Sequence, residues 1–342
     1  MKCRVSIFAK SCIVLLVFLA SGAGWASEIN RTFENVKVLH IKTVSGDCII
    51  KKGTNNKVTV QVSSTYDEDE FEAEITQRGS TLKLRERFTK NRKRSWSSRG
   101  KSKWILTVPD NMEISFSTAS GDFELSDLKD IELDAGTASG SVTVNNLTGQ
   151  IDIGTASGDV RAAEFSGKIK IGTASGDIRF REGAGTIRAG TASGDFSGKN
   201  LKGNLRFSAA SGSVDVRGAE GKVKISTASG DVSVSDAVIS ERSSFSAASG
   251  NVSVGMITTP KEDLTLTAAS GDVELAFNGN QITGTIEATA RAGRNRIQAP
   301  FSFDENEKYF EHGREYVKKI AKKGNGPLIE LHSASGEVVI EK

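Results

Sequence analysis

The chain has 342 residues, enough for one large domain or two ordinary ones, and a formal net charge of +3. Lys2, Arg4 and Lys10 account for all of that excess. From Ser27 onward the chain is formally neutral, which excludes bulk attraction to nucleic acid or to an anionic membrane. Two of the three cysteines also fall within the first 26 residues, so Cys48 stands alone and no intrachain disulfide can form in the remainder.

Residues 1–26 read as a secretory signal peptide. A basic start is followed by the apolar run CIVLLVFLA and by small residues at Gly24 and Ala26, with cleavage expected before Ser27. The apolar run is too short for a good membrane span, so no transmembrane segment is expected after cleavage. The expected location is outside the cytoplasm, in the periplasm, at the cell surface or secreted. Residues 27–115 read as hairpin strands and cap coils. YDEDEFEAE concentrates acids at 67–74, and the stretch from Lys83 to Lys103 carries ten cations against the single acid Glu86. The bland account of this stretch is a solvated loop facing an acidic strand. The sharper one is a binding loop near Trp96 and Trp104.

Residues 116–300 repeat. TASG or a near variant ends at Gly121, Gly140, Gly158, Gly176, Gly194, Gly212, Gly230, Gly250 and Gly271, with outlying copies at Gly46 and Gly336. A second series, Gly149, Gly167, Gly185, Gly203 and Gly221, falls midway. Large apolar residues stand two and four positions after most of these glycines, with polar residues between, which is strand periodicity. One nine-residue unit cannot bury its apolar side alone; two make an 18-residue coil, and stacked coils share a core. The expected fold is therefore all-β, a parallel β-solenoid or β-helix of about 18 residues per coil, right-handed by the preference of parallel crossovers. Residues 301–342 depart from the period as an irregular polar insert, loop or short helix, before PLIELHSASGEVVIEK restores a final capping coil.

The aspartates after the corner glycines, Asp122, Asp159, Asp177, Asp195, Asp231 and Asp272, form a ladder in which Ser141, Ser213 and Asn251 substitute. A calcium site needs several converging oxygens. A structural turn needs one acceptor, which Asp, Asn and Ser all supply, so the ladder reads as turn chemistry and no metal is expected. Catalysis is not expected either. Cys48 sits at an inward position, and His40, His312 and His332 are scattered over terminal segments. No phosphate loop or zinc spacing is present, and no cofactor is expected. The most distinctive surface lies after the second glycine series. Its outward positions hold Lys168, Lys170, Arg188, Arg206, Lys222 and Lys224 against one acid, Asp152, beside Gly154, Gly172, Gly190, Ser208 and Ser226. The face is either solvated surface whose cations oppose aggregation or a platform for an anionic polymer such as an acidic glycan.

The leader, the apolar hairpins, the sequence LTVP…ISFSTASGDFEL and the serial T-A-S-G-D-apolar coils resemble the bacterial putative-adhesin β-strand-repeat family, a domain of unknown function, over residues 36–342. The resemblance implies an exported β-helical protein and no established catalytic or binding residues. The expected function is that of a non-enzymatic envelope or surface binding protein whose partner is an anionic glycan or an envelope protein. The alternatives are a self-associating or complex-forming scaffold and, further off, a polysaccharide-active β-helix enzyme.

Overall fold

The computed structural model describes residues 27–67, 69–89, 100–293 and 296–342. The leader at 1–26 and the centre of the basic loop, 90–99 with Trp96, lie outside the described residues. Every regular element described is a β-strand, and the strands form a parallel solenoid with an offset of about 18 residues per turn. The chain divides between Val160 and Arg161 into two compact units.

In the second unit, Phe196–Ala209 pairs in parallel with Ile178–Thr191 on one side and with Val214–Thr227 on the other, residue for residue at an offset of 18. Each of these strands is 14 residues long, so the second glycine series does not end a strand. The strand bends there and stays paired, because two residues per bend take left-handed φ. In Phe196–Ala209 these are Asn200 (φ 55) and Gly203 (φ 114). Glu164, Glu182 and Asp236 occupy the same left-handed row as Asn200. Flipping the backbone there turns Leu201 inward, where it is fully buried.

The TASG corner works differently. A Cβ on Gly212 would lie 1.8 Å from the carbonyl oxygen of Gly194 in the preceding coil. These glycines are needed because backbones crowd, not because φ is positive. The threonine of the motif is buried, and its hydroxyl closes the turn by accepting the glycine N–H three residues on (Thr191 to Gly194, 2.9 Å). The Thr227 hydroxyl also donates to Gly212 O of the coil before, at 2.9 Å.

The core is the stack of inward apolar rows, and sizes compensate between coils. Gly198 leaves a space taken by Leu201, Phe196 and Val216, and Phe196 stacks on Phe207 at 4.0 Å between ring centroids. Gly183 is the counterpart of Phe165, whose ring occupies the space its side chain would take. Ile169, Ile171, Ile178 and Phe180 are buried, whereas Lys168, Lys170 and Arg179 are exposed.

The coils nearest the chain ends are not the outermost ones. In the first unit, Val38–Lys42 and Asp47–Lys52 lie between Glu113–Thr118 with Phe123–Thr137 and the later strands Thr81–Phe88 with Ser102–Val108. Antiparallel strands then cover this outer coil: Phe71–Arg78 on one side, Lys57–Ser64 and Ser27–Glu34 on the other. The outer coil lacks a TASG corner, and Glu86 supplies the missing acceptors. Its carboxylate receives Val44 N–H (2.6 Å), Ser45 N–H (3.2 Å), Trp104 Nε1–H (3.0 Å) and the Ser102 hydroxyl.

The second unit repeats the arrangement. Leu328–Ser333 and Val338–Glu341, expected to be the final coil, are tucked between Leu264–Ala268 with Val273–Ala276 and the earlier strands Gly284–Arg291 with Ile297–Gln298. The expected irregular insert is a regular antiparallel hairpin, Glu305–Glu311 with Arg314–Lys323, laid on Gly284–Arg291. Antiparallel pairing satisfies the open backbone edge of a parallel stack.

Candidate basic sheet face

The candidate face belongs to the second unit. It is built from the C-terminal halves of Val160–Thr173, Ile178–Thr191, Phe196–Ala209 and Val214–Thr227. Because the strands are parallel and in register, every outward position becomes a ladder across coils about 4.8 Å apart. Arg188, Arg206 and Lys224 are direct neighbours in one ladder, and Thr186, Asn204 and Lys222 in the next. Lys168 and Lys170 precede them at the same 18-residue offset, with Gly167 packed against Gly185. All six cations project outward; five are exposed and Lys222 is half-buried. Beyond Lys224 the ladder continues through Ser244 and Thr265 to Glu330.

Like charges in adjacent register repel. Elsewhere in these coils such cations are matched with carboxylates: Arg179 with Asp177 (2.9 Å), Arg181 with Glu164 (3.4 Å), Lys202 with Glu220 (2.7 Å) and Arg217 with Asp236 (2.9 Å). Among the described residues, no carboxylate pairs with Arg188, Arg206, Lys222 or Lys224. In sequence the charge was visible, but the absence of compensation depends on which residues become neighbours.

Next to the cation ladder runs a floor of small residues, with Gly190, Ser208 and Ser226 in register and Gly172 before them. These glycines differ from the corner glycines. A Cβ at Gly172 would meet nothing within 4 Å, and one at Gly190 only the Ser208 hydroxyl at 3.3 Å, and neither residue has left-handed φ. The first unit has equally open glycines at Gly136 and Gly154, beside Asp134 and Asp152.

The aspartate ladder lies on the other half-coils, and its bonds run between coils. Each carboxylate accepts the backbone N–H of the equivalent residue one coil on: Asp122 from Ser141 (2.8 Å), Asp177 from Asp195 (3.0 Å), Asp195 from Ser213 (2.9 Å), Asp231 from Asn251 (2.8 Å) and Asp272 from Glu337 (2.8 Å). The substitutes do the same: Ser213 Oγ accepts Asp231 N–H (3.3 Å), and Asn251 Oδ1 accepts Asp272 N–H (2.9 Å). Asp159 lies in this row too, and its carbonyl accepts Val142 N–H at 2.9 Å. A depression of about 310 Å³ over Asp231, Asn251, Asp272 and Glu274 borders the ladder. Among the described residues, no three His, Cys, Asp or Glu side chains gather as a metal site.

Cys48 is fully buried, and burial pushes its thiol well above the usual range. His332 stacks beside Tyr316, and burial lowers its pKa. The sequence reading missed an aromatic cluster on the C-terminal hairpin. Tyr309 stacks on Tyr316 at 5.7 Å, while Lys319 and Lys323 lie over the rings of Phe303 and Phe301. Only the richness of 301–316 in Phe and Tyr signalled it.

Comparison with known proteins adds a family. The family model described as Toastrack DUF4097 matches residues 36–236 and 203–341. Among solved structures, the chain is similar to a putative cell adhesion protein from Clostridium sporogenes (10% identity, 92% of this chain and 97% of that one, TM-score 0.23). It is similar to a putative adhesin from Bacteroides fragilis (14%, 92% and 97%, TM-score 0.29). It is also similar to a putative lipid binding protein from Parabacteroides distasonis (14%, 93% and 98%, TM-score 0.31). No curated protein matches the chain. Among the described residues, no helix is long and apolar enough to cross a membrane.

Proposed function

The chain belongs to the Toastrack DUF4097 family, and on that footing we propose that it is an exported, non-enzymatic, adhesin-like envelope protein that binds an anionic polymer through its basic sheet face. The observation that carries this reading is the uncompensated ladder Arg188–Arg206–Lys224 with Lys222 beside it, in coils where Arg179, Arg181, Lys202 and Arg217 are each paired with a carboxylate. Each exposed cation contributes a small, salt-screened attraction. A rigid row of them acts on a polymer at several points at once. The leader pattern at 1–26 supports export.

End-to-end self-association needs an open terminal coil. Antiparallel strands cover the outer coil of the first unit and Gly284–Arg291 of the second, and the last strands carry Glu28 and Glu34 or Glu305, Glu307 and Glu311, charges that oppose edge addition. That arrangement weighs against the scaffold reading.

The test replaces Lys168, Lys170, Arg188, Arg206, Lys222 and Lys224 together with Gln. Melting temperature is expected to stay close to that of the native protein, because outward substitutions usually cost within about 0.5 kcal/mol. Retention on immobilised polygalacturonate at low salt is expected to collapse. Undiminished retention of the substituted protein would overturn the proposal.

A further inference from the structure

The floor beside the cations says how a polymer would lie. Glycine inside a strand costs about 0.5–1 kcal/mol relative to Ala, so it persists where something requires it. The corner glycines are required by the coil beneath and the bend glycines by left-handed φ. Gly172 and Gly190 have neither reason: a Cβ at Gly172 would meet nothing within 4 Å, and one at Gly190 only the Ser208 side chain and carbonyl. Strand glycines of this kind mark places where another chain approaches the backbone closely. The open glycines of the first unit stand beside acids. Glycine alone therefore does not identify a ligand; the neighbouring cations do.

The ladder and the floor run in the same direction, across the strands and along the stack of coils. Arg188, Arg206 and Lys224 stand on one side of the row Gly172, Gly190, Ser208 and Ser226. On its other side are the exposed Ala and Ser residues of the TASG corners, Ala174 with Ser175 and Ala192 with Ser193. A chain lying on this row meets one cation per coil, about every 4.8 Å. Two of the cations are arginines, whose planar forks match carboxylates in paired hydrogen bonds. The floor is shallow and uncharged, with hydroxyls from Ser208 and Ser226 available to sugar hydroxyls.

Resting on the reading of the basic face given above, we propose that the ligand is an unbranched acidic polysaccharide lying along the coil stack. It sits on the Gly172–Gly190–Ser208–Ser226 floor, with its carboxylates spaced at the coil rise or twice that distance and facing Arg188, Arg206 and Lys224. A branched polymer, or one crossing the face along the strands, would not need an open floor.

The experiment uses the mature chain and oligogalacturonates of two and four units. In one variant Gly172→Gln and Gly190→Gln raise the floor without touching a charge. In a control, Gly136→Gln adds bulk at an equally open glycine beside Asp134, away from the basic face. The tetramer is expected to bind the native chain at least tenfold more tightly than the dimer, because only the tetramer spans the cation row. The floor variant is expected to lose at least tenfold in tetramer affinity, and the control less than twofold. If the six-Gln protein loses binding while the floor variant keeps it, the basic face stands and the axial placement is overturned. Equal affinity for dimer and tetramer on the native chain overturns it as well, whatever the floor variant's folding. Binding that survives both the charge and the floor substitutions removes the basic-face reading itself.

Discussion

Replacing Gly212 with Ala tests the reason for the repeat itself. The added methyl would lie 1.8 Å from Gly194 O and 2.7 Å from Gly194 C, both backbone atoms of the preceding coil. An ordinary carbon–oxygen contact is about 3.3–3.6 Å, so the coils must part locally by about 1.5 Å. That displacement breaks the inter-coil bonds flanking the corner: Ser211 N–H to Ala192 O (2.9 Å), Ser213 N–H to Asp195 Oδ1 (2.9 Å) and Phe196 N–H to Ser213 O (2.9 Å). At a net contribution of about 1 kcal/mol each, the loss is about 3 kcal/mol, a large fraction of the stability of an ordinary domain. Stacked coils unfold locally, so the measurement is hydrogen exchange at the amides of Ser211 and Ser213, supported by the urea midpoint. Gly172→Ala is the control. Its methyl meets nothing within 4 Å, and losing a strand glycine should stabilise by about 0.5–1 kcal/mol. Exchange in Gly212→Ala within about 0.5 kcal/mol of the native protein, or equal damage from Gly172→Ala, would refute the close-approach explanation.

The aspartate ladder predicts that Asp195→Ala, which leaves Ser213 N–H without its acceptor, costs about 1–3 kcal/mol, whereas Asp195→Asn costs much less, since Asn251 already performs that task. If the ladder is structural, each of the three proteins should keep its own melting temperature whether in calcium or in chelator; a large calcium-dependent rise would show that the ladder holds metal. A third expectation concerns pH. The Leu328 N–H (3.0 Å) and the Arg242 guanidinium hold the Asp263 carboxyl below the ordinary carboxylate range. A depressed folded pKa gives stability that is present above the unfolded value of about 3.9 and lost as pH falls through the folded one. Protection factors at Leu328–Ser333, corrected for the intrinsic exchange rate at each pH, should therefore fall as pH drops below about 4, and Asp263→Asn should flatten that dependence. A pH response unchanged by the substitution would place the acid lability elsewhere.

Much of the architecture was legible residue by residue. The pairs Ile169/Ile171 and Ile178/Phe180 announced their inward positions by spacing alone, and eleven glycines at nine-residue intervals from Gly140 to Gly230 announced the corners. The two glycine series looked alike, and both press on a carbonyl of the preceding coil, yet only the second also takes left-handed φ. The aspartates likewise showed an acceptor in the sequence, while the identity of its donor, the N–H one coil further on, exists only once coils stack.

The order of coils at each end was not legible. A terminal repeat such as SASGEVVIEK carries the same inward pattern wherever it sits, so nothing local distinguishes an outermost coil from one tucked beneath a later or earlier strand. The hairpin Glu305–Glu311 with Arg314–Lys323 gains its place from the free edge of Gly284–Arg291, a partner remote in sequence. The amino-acid sequence by itself determined the repeat, the inward rows and the charge of the outward ones, because these follow from short-range periodicity. Tertiary structure alone decided which charges stand uncompensated side by side, since Arg188, Arg206 and Lys224 become a ladder only when parallel strands lock in register at an 18-residue offset.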